Sequence, residues 1–234
     1  MEASAQQREV RVRADSVVLD GTLSIPDHPQ GIVVFAHGSG SSRHSPRNRA
    51  VARTLQEAGL ATLLFDLLTQ DEEAIDRQTA KLRFDIGLLA RRLVGATDWL
   101  GEQPATAMLR IGYFGSSTGA GAALVAAAER SSVVGAIVSR GGRPDLAGAA
   151  LDLVQAPTLL VVGGADTPVI ALNEAAARRL HAVRQLEIIP GATHLFEEPG
   201  ALERVAQLAA RWFSSYLRPA DAEGDLLREA ARGG

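Results

Sequence analysis

Cysteine is absent from all 234 residues. That excludes disulfides, thiolate metal sites and a cysteine nucleophile. Lysine is nearly absent too: Lys81 is the only one, and arginine carries the rest of the positive charge. The formal net charge of −3 leaves no broad cationic footprint of the kind that nucleic acids or anionic membranes attract. No apolar run approaches the ~20 residues that cross a bilayer. Residues 1–13 are polar and charged and lack the apolar stretch of a secretory leader. The expectation is a cytoplasmic protein with neither a nucleic-acid nor a membrane partner. No Gly-x-Gly-x-x-Gly follows the first parallel strand, so a dinucleotide-binding reading fails. No histidine pair shows metal-ligand spacing with carboxylates nearby, so no metal and no other cofactor is expected.

What the chain does have is a regular alternation of apolar strands and amphipathic helices. Hydrophobic residues make up 46% and charged residues 22%, proportions that a soluble globular domain shares. Residues 9–25 read as an opening hairpin turning at Asp20-Gly21. Further strands are expected at 31–38, 60–66, 109–115, 134–141, 158–164 and 185–191, for about eight in all. Ser45-Pro46 reads as an N-cap followed by Pro at the first helical position. A polar loop holding Asp71, Glu72 and Glu73 should precede a long helix with Leu82, Ile86, Leu89 and Leu93 on one face. Strands buried on both faces and separated by helices imply an α/β fold, its mostly parallel sheet flanked by helices on both sides. Residues 1–217 read as a single domain and 218–234 as a polar tail.

Gly115-Ser116-Ser117-Thr118-Gly119 fits G-x-S-x-G. The bare pattern is weak, but here a strand ends at Gly115 and a helix begins after Ser117, the context that makes a nucleophile elbow. Side chains on the flanking glycines would clash in so tight a turn. Ser117 would stand at the helix N-terminus, where the dipole favours developing negative charge. Ser116 lacks glycines at the required offsets.

A serine nucleophile needs a base and an acid, in the chain order Ser, acid, His. His194 lies just past the last strand and Asp166 just past the strand 158–164, both at carboxyl ends where open α/β sheets place their sites. His194 would take the Ser117 proton, and Asp166 would orient the imidazole and stabilise its cation. Asp166 could instead only cap the helix that opens before Pro168. Asp145 is the rival acid.

With His37-Gly38-Ser39-Gly40 after the strand 31–36, the chain resembles the α/β-hydrolase superfamily. Within it, the likeness is to the small esterase-like proteins grouped with dienelactone hydrolases. The resemblance runs from about residue 15 to 217 and rests on HGSG, GSSTG, GGAD and GATH in that order. It implies backbone N–H donors to the oxyanion at Ser39 and Thr118, with His37 bracing the loop. True dienelactone hydrolases use a cysteine where this chain has Ser117, so lactone specificity does not carry over.

Arg43, Arg47 and Arg49 cluster before and within the helix opened by Ser45-Pro46, where they oppose its dipole. Arg140 and Arg143 follow the strand 134–139. Arg43, Arg47, Arg140 and Arg143 either form a rim that binds a substrate carboxylate or phosphate, or are structural, pairing with Asp145 and Glu72. Only residues 142–157 are available for a lid, so the site should be open and shallow, without a large cap. The expected activity is hydrolysis of a small carboxylic ester through an acyl-enzyme. Thioesters, lactones and diketone C–C bonds suit the same triad, and a ligand-binding relative without catalysis is the alternative of another class.

Overall fold

The computed structural model describes residues 6–218. Eight strands are β1 (Gln6–Ala14), β2 (Val17–Ile25), β3 (Ile32–Ala36), β4 (Ala61–Phe65), β5 (Ile111–Ser116), β6 (Val134–Arg140), β7 (Thr158–Gly163) and β8 (Arg184–Ile189). The helices are α1 (Pro46–Glu57), α2 (Gln70–Thr79), α3 (Ile86–Glu102), α4 (Thr118–Glu129), α5 (Thr167–Arg179) and α6 (Ala201–Leu217). The strands form one sheet in the order β1-β2-β4-β3-β5-β6-β7-β8. Only β2 runs against the rest: it is antiparallel to both neighbours, and every other pair is parallel.

Side-chain alternation explains why the inner strands are unbroken apolar runs. In β3, Ile32, Val34 and Ala36 enter one core, while Val33 and Phe35 enter the other. The first core packs under α3, α4 and α5, the second under α1 and α6. Each fully buried aliphatic or aromatic side chain stabilises the fold by about 1.5–3 kcal/mol. The small residues of α4 let it lie close to the sheet, with nine of its residues buried.

Three expectations are corrected. The hairpin turns at Asp15-Ser16, where Asp15 has φ 57°, and not at Asp20-Gly21. Gly21 sits inside β2 because a Cβ there would come within 3.2 Å of Phe65 Cβ and Val10 Cγ2. The acidic segment after β4 is helix α2 and not a loop. Asp71, Glu72 and Glu73 fill its first turn, where they complement the dipole, and Thr69 and Glu72 form a reciprocal capping box. Leu82 lies outside the long helix, in a 3-10 turn (Leu82–Phe84), and α3 starts after Asp85, whose side chain caps Leu88 N at 2.9 Å.

Residues 142–157 form no lid. They hold a kinked 3-10 segment (Pro144–Leu153) packed against α4 and α5. Beyond Arg218 the expected tail lies outside the described residues. Among the described residues, no helix is long and apolar enough to cross a membrane.

Candidate active site

Ser117 is the single residue between β5 and α4, with φ 50° and ψ −122°. Such a conformation costs a residue with a side chain about 1–3 kcal/mol and persists only where its surroundings hold it. Here Ser117 N donates to Arg140 O at 3.3 Å, and Ser117 O accepts from Ala120 N at 3.1 Å and Arg143 N at 3.0 Å. Both flanking glycines are sterically required. A Cβ on Gly115 would run into the Ala120 backbone, and one on Gly119 into the Ala36 and His37 carbonyl oxygens.

Asp166 occupies the N-cap position of α5, yet its side chain makes no capping hydrogen bond. Its Oδ2 lies 2.6 Å from His194 Nδ1 instead. An Nδ1–H donated to this carboxylate leaves Nε2 as an acceptor, the tautomer that a general base needs. Ser117 and His194 share the wall of a cavity of about 230 Å3. Asp145 is gripped by Arg143, whose Nε and Nη2 donate to its two carboxylate oxygens at 2.9 and 2.7 Å.

The HGSG loop meets the elbow directly. Ser39 N–H donates to Thr118 Oγ1 at 3.0 Å, so this donor is engaged by a side chain and not free. Thr118 opens α4, where backbone N–H groups have no partner within the helix. His37 is buried and bridges two loops: Nδ1–H donates to Gly38 O at 3.1 Å, and Nε2 accepts from Leu67 N–H at 3.1 Å. Burial pushes its pKa down, outweighing the Gly38 hydrogen bond, so the ring is held neutral.

A second cavity, of about 570 Å3, adjoins the first and shares Gly38, Ser39, Ser41, Ser45 and Arg47 with it. Glu73, Asp76, Arg77, Arg83 and Leu89 form its far side, and His37 and Leu67 are also in its lining. The site expected to be open and shallow therefore has a side wall, built from α2 and the 3-10 turn after it. Polar contacts hold that wall. Asp76 is buried, accepts Arg83 Nε at 2.5 Å, and takes the Leu82 and Arg83 N–H groups at 2.8 and 3.0 Å. Burial alone would raise its pKa, but these donors outweigh burial and lower it. Glu72 anchors α2 to α3 through Arg92 at 2.7 Å.

The four arginines do not assemble into one rim. Arg43 pairs with Asp66 at 2.6 Å and with Glu9 at 3.4 Å, and Arg143 pairs with Asp145. Arg47 lines both cavities but holds Glu197 at 3.1 Å. Arg140 is only 7% exposed and makes no salt bridge among the described residues. Its Nε donates to Ser116 Oγ at 3.3 Å, and that hydroxyl donates to Asn48 Oδ1 at 3.2 Å. Its Nη1 is buried without a partner. Burial, with repulsion from Arg47, pushes its pKa down to about 10. Sequence reasoning set Ser116 aside and passed over Asn48. The signal was there: Asn48 is the polar member of the buried α1 face formed with Val51, Ala52 and Leu55.

The model of the family described as "Dienelactone hydrolase family" matches residues 19–219. The crystal structure of a dienelactone hydrolase from Anabaena variabilis ATCC 29413 is 66% identical, with a TM-score of 0.91, covering 92% of this chain and 100% of that one. A Mycobacterium tuberculosis H37Rv protein carrying the provisional name phosphoribosyl transferase is 60% identical over 212 residues, which is 91% of this chain but 47% of that protein. The chain thus spans about half the length of the curated relatives it matches. An alpha-beta serine hydrolase homologue from Coxiella burnetii, 18% identical, shares the fold with a TM-score of 0.69 over 87% of this chain and 96% of its own.

Proposed function

This chain belongs to the dienelactone hydrolase family, and we propose that it cleaves a carboxylic ester of a small molecule with Ser117 as the nucleophile. The observation that carries the reading is the 2.6 Å contact from Asp166 to His194, beside a serine held in the strained elbow. His194 Nε2 takes the Ser117 proton as Oγ attacks the ester carbonyl. The carbonyl oxygen gains charge beside the backbone N–H groups of Ser39 and Thr118. The Thr118 hydroxyl, which accepts from Ser39 N–H, turns away or shares that donor as the oxyanion forms. Each such donor is typically worth about 10²–10³ in rate. His194 then gives its proton to the departing alkoxide, leaving an acyl group on Ser117. Water, activated by the same imidazole, releases the acid and restores the serine.

Hydrolysis is assigned to this chain in preference to phosphoribosyl transfer. The transferase name belongs to a protein of which the chain matches only 47%. The contact between Asp166 and His194 beside Ser117 supports acyl transfer to water. Thioesters and lactones would pass through the same acyl-enzyme.

A fluorophosphonate probe tests the assignment. The wild-type protein should be labelled on Ser117, located by peptide mass spectrometry, and should hydrolyse 4-nitrophenyl acetate. Ser117→Ala should lose both. Labelling elsewhere, or undiminished hydrolysis by Ser117→Ala, would overturn the reading.

A further inference from the structure

Ser117, His194 and Asp166 come from three separate segments, so each must be held against the others as well as in its own conformation. The elbow fixes the Ser117 backbone locally. Asp166 arrives from β7 at the head of α5, where the Val169 and Ile170 N–H groups both donate to its carbonyl oxygen at 3.0 Å. Between the elbow and α5 lies the short loop after β6, Gly141-Gly142-Arg143.

One side of this loop meets the elbow. Arg143 N–H donates to Ser117 O at 3.0 Å, and a Cβ on Gly142 would collide with Ala120 Cβ of α4. The other side meets α5 through Asn173. This residue is 0% exposed and sits at the centre of the buried α5 face, between Val169 and Ala176. Its Nδ2 donates to Gly142 O at 3.0 Å and to Val169 O at 2.8 Å. Both partners are carbonyl oxygens, so the nitrogen with its two hydrogens must face them. Its Oδ1 is buried without a hydrogen-bond partner among the described residues. Asparagine is a poor helix former, and burying an unpaired amide oxygen is costly. A leucine would fill the same place with neither cost. What the asparagine supplies in exchange is the bond to Gly142.

We propose that Asn173 is a positioning residue for the reaction, tying the loop behind Ser117 to the helix that carries Asp166 at its head. This rests on the reading of Ser117, His194 and Asp166 as a triad and deepens it. Asp166 and Asn173 are seven residues apart, about 10 Å along one rigid helix. Through Gly142 and Arg143 that helix sets where Ser117 stands against the imidazole that Asp166 orients. Cutting the tie lets the nucleophile drift from His194, and a displacement of about 1 Å can cost about 10²-fold in rate. Contacts to the bound ester are untouched, so the loss falls on kcat and not on KM.

Asn173→Leu keeps the volume and removes the donors. With 4-nitrophenyl acetate its kcat should fall about 10- to 100-fold, with KM within about twofold of wild type. In an Asp166→Asn background the imidazole is already misplaced. There the same change should cost about twofold or less, because groups that act as a unit are not additive. Val169→Ala loosens the same buried face without reaching Gly142. It should lower the melting temperature and leave kcat within about twofold. Where Asn173→Leu does not fold, Asn173→Ala takes its place in every measurement. Four results would each reduce Asn173 to a structural residue and overturn the proposal. They are an unchanged kcat, an equal loss in both backgrounds, an equal kcat loss in Val169→Ala, and failure of both Asn173 variants to fold. In all four the hydrolase still stands on wild-type turnover and Ser117 labelling. Absence of both from the wild-type protein would sink the hydrolase reading and this proposal with it.

Discussion

The floor of the site and its side wall are made in different ways. The floor, formed by the ends of β3, β5, β7 and β8, is set by the backbone. A positive φ at Ser117, two glycines without room for a Cβ, and strand-end carbonyls leave it one conformation. The wall of α2 and its 3-10 turn is set by side chains: the Thr69–Glu72 box, Glu72 on Arg92 and Arg83 on Asp76. Backbone constraint fixes atoms to the tolerance that bond-making needs. Side-chain ion pairs fix a surface more loosely, which suffices for choosing what enters.

The sharpest test of this contrast is at the floor. His194→Ala should cut ester hydrolysis by about 10⁴-fold or more, and adding Ser117→Ala should cost little further because the two act as a unit. Asp166→Asn should cut the rate by roughly 10³- to 10⁴-fold with the fold intact by circular dichroism. Asp145→Asn, which disturbs only Arg143, should change turnover by about twofold or less. Comparable losses in the two asparagine variants would erase the distinction between the acid that meets His194 and the one that meets Arg143.

The wall should respond on a smaller scale and in another parameter. Asp76→Asn keeps an acceptor for the Leu82 and Arg83 N–H groups but removes the charge that Arg83 needs. KM should rise about 3- to 10-fold while kcat stays within about twofold, the pattern of lost ground-state binding. A kcat loss approaching that of Asp166→Asn would make the wall part of the chemistry and break the comparison.

The same contrast explains what could be read from the sequence. The floor was legible because its constraints are written locally. G-x-S-x-G at a strand-to-helix junction and a polar residue just past each strand end need no knowledge of distant partners. The alternation of apolar runs and helical faces gave away the mostly parallel sheet for the same reason. The wall depends on pairings such as Glu72 with Arg92 and Asp76 with Arg83, which no local pattern announces. The Thr69-x-x-Glu72 capping box was a local signal, and the run of acidic residues masked it as a loop. The arginines show the limit most plainly. Their positions just past two strands placed Arg43, Arg47, Arg140 and Arg143 near the carboxyl end of the sheet, but only folded contacts separate the paired cations from Arg140. Asp20-Gly21 misled in the opposite way, since its glycine answers to Phe65 across the sheet and not to a turn.

The smallest expected effect is at the hinge of the two regions, where His37 ties the HGSG loop to Leu67. Burial lowers its folded pKa beneath the unfolded value of about 6.5. Stability from this group is therefore complete above about pH 6.5. It is lost as pH falls below that value, because the unfolded chain takes up the proton first. His37→Gln presents an amide oxygen to Leu67 N–H without titrating. Urea melts at pH 7 and pH 5 should show a smaller acid loss in the variant than in the wild type. Equal slopes would mean that other groups carry the acid sensitivity.

Among the described residues, the open order of the sheet leaves two strands with one unpaired side, β1 and β8. Each exposes a row of backbone donors and acceptors that could recruit a strand from another molecule and seed aggregation. Both rows are guarded. Arg8, Glu9, Arg11 and Arg13 project from β1 as exposed charged side chains, and Arg184, Gln185 and Glu187 stud β8. An incoming strand would have to desolvate the four charges of β1 or the two of β8. A fold that keeps its strand ends open for chemistry thus has its strand sides defended against unwanted addition, and neutralising the β1 charges should show first as turbidity on storage.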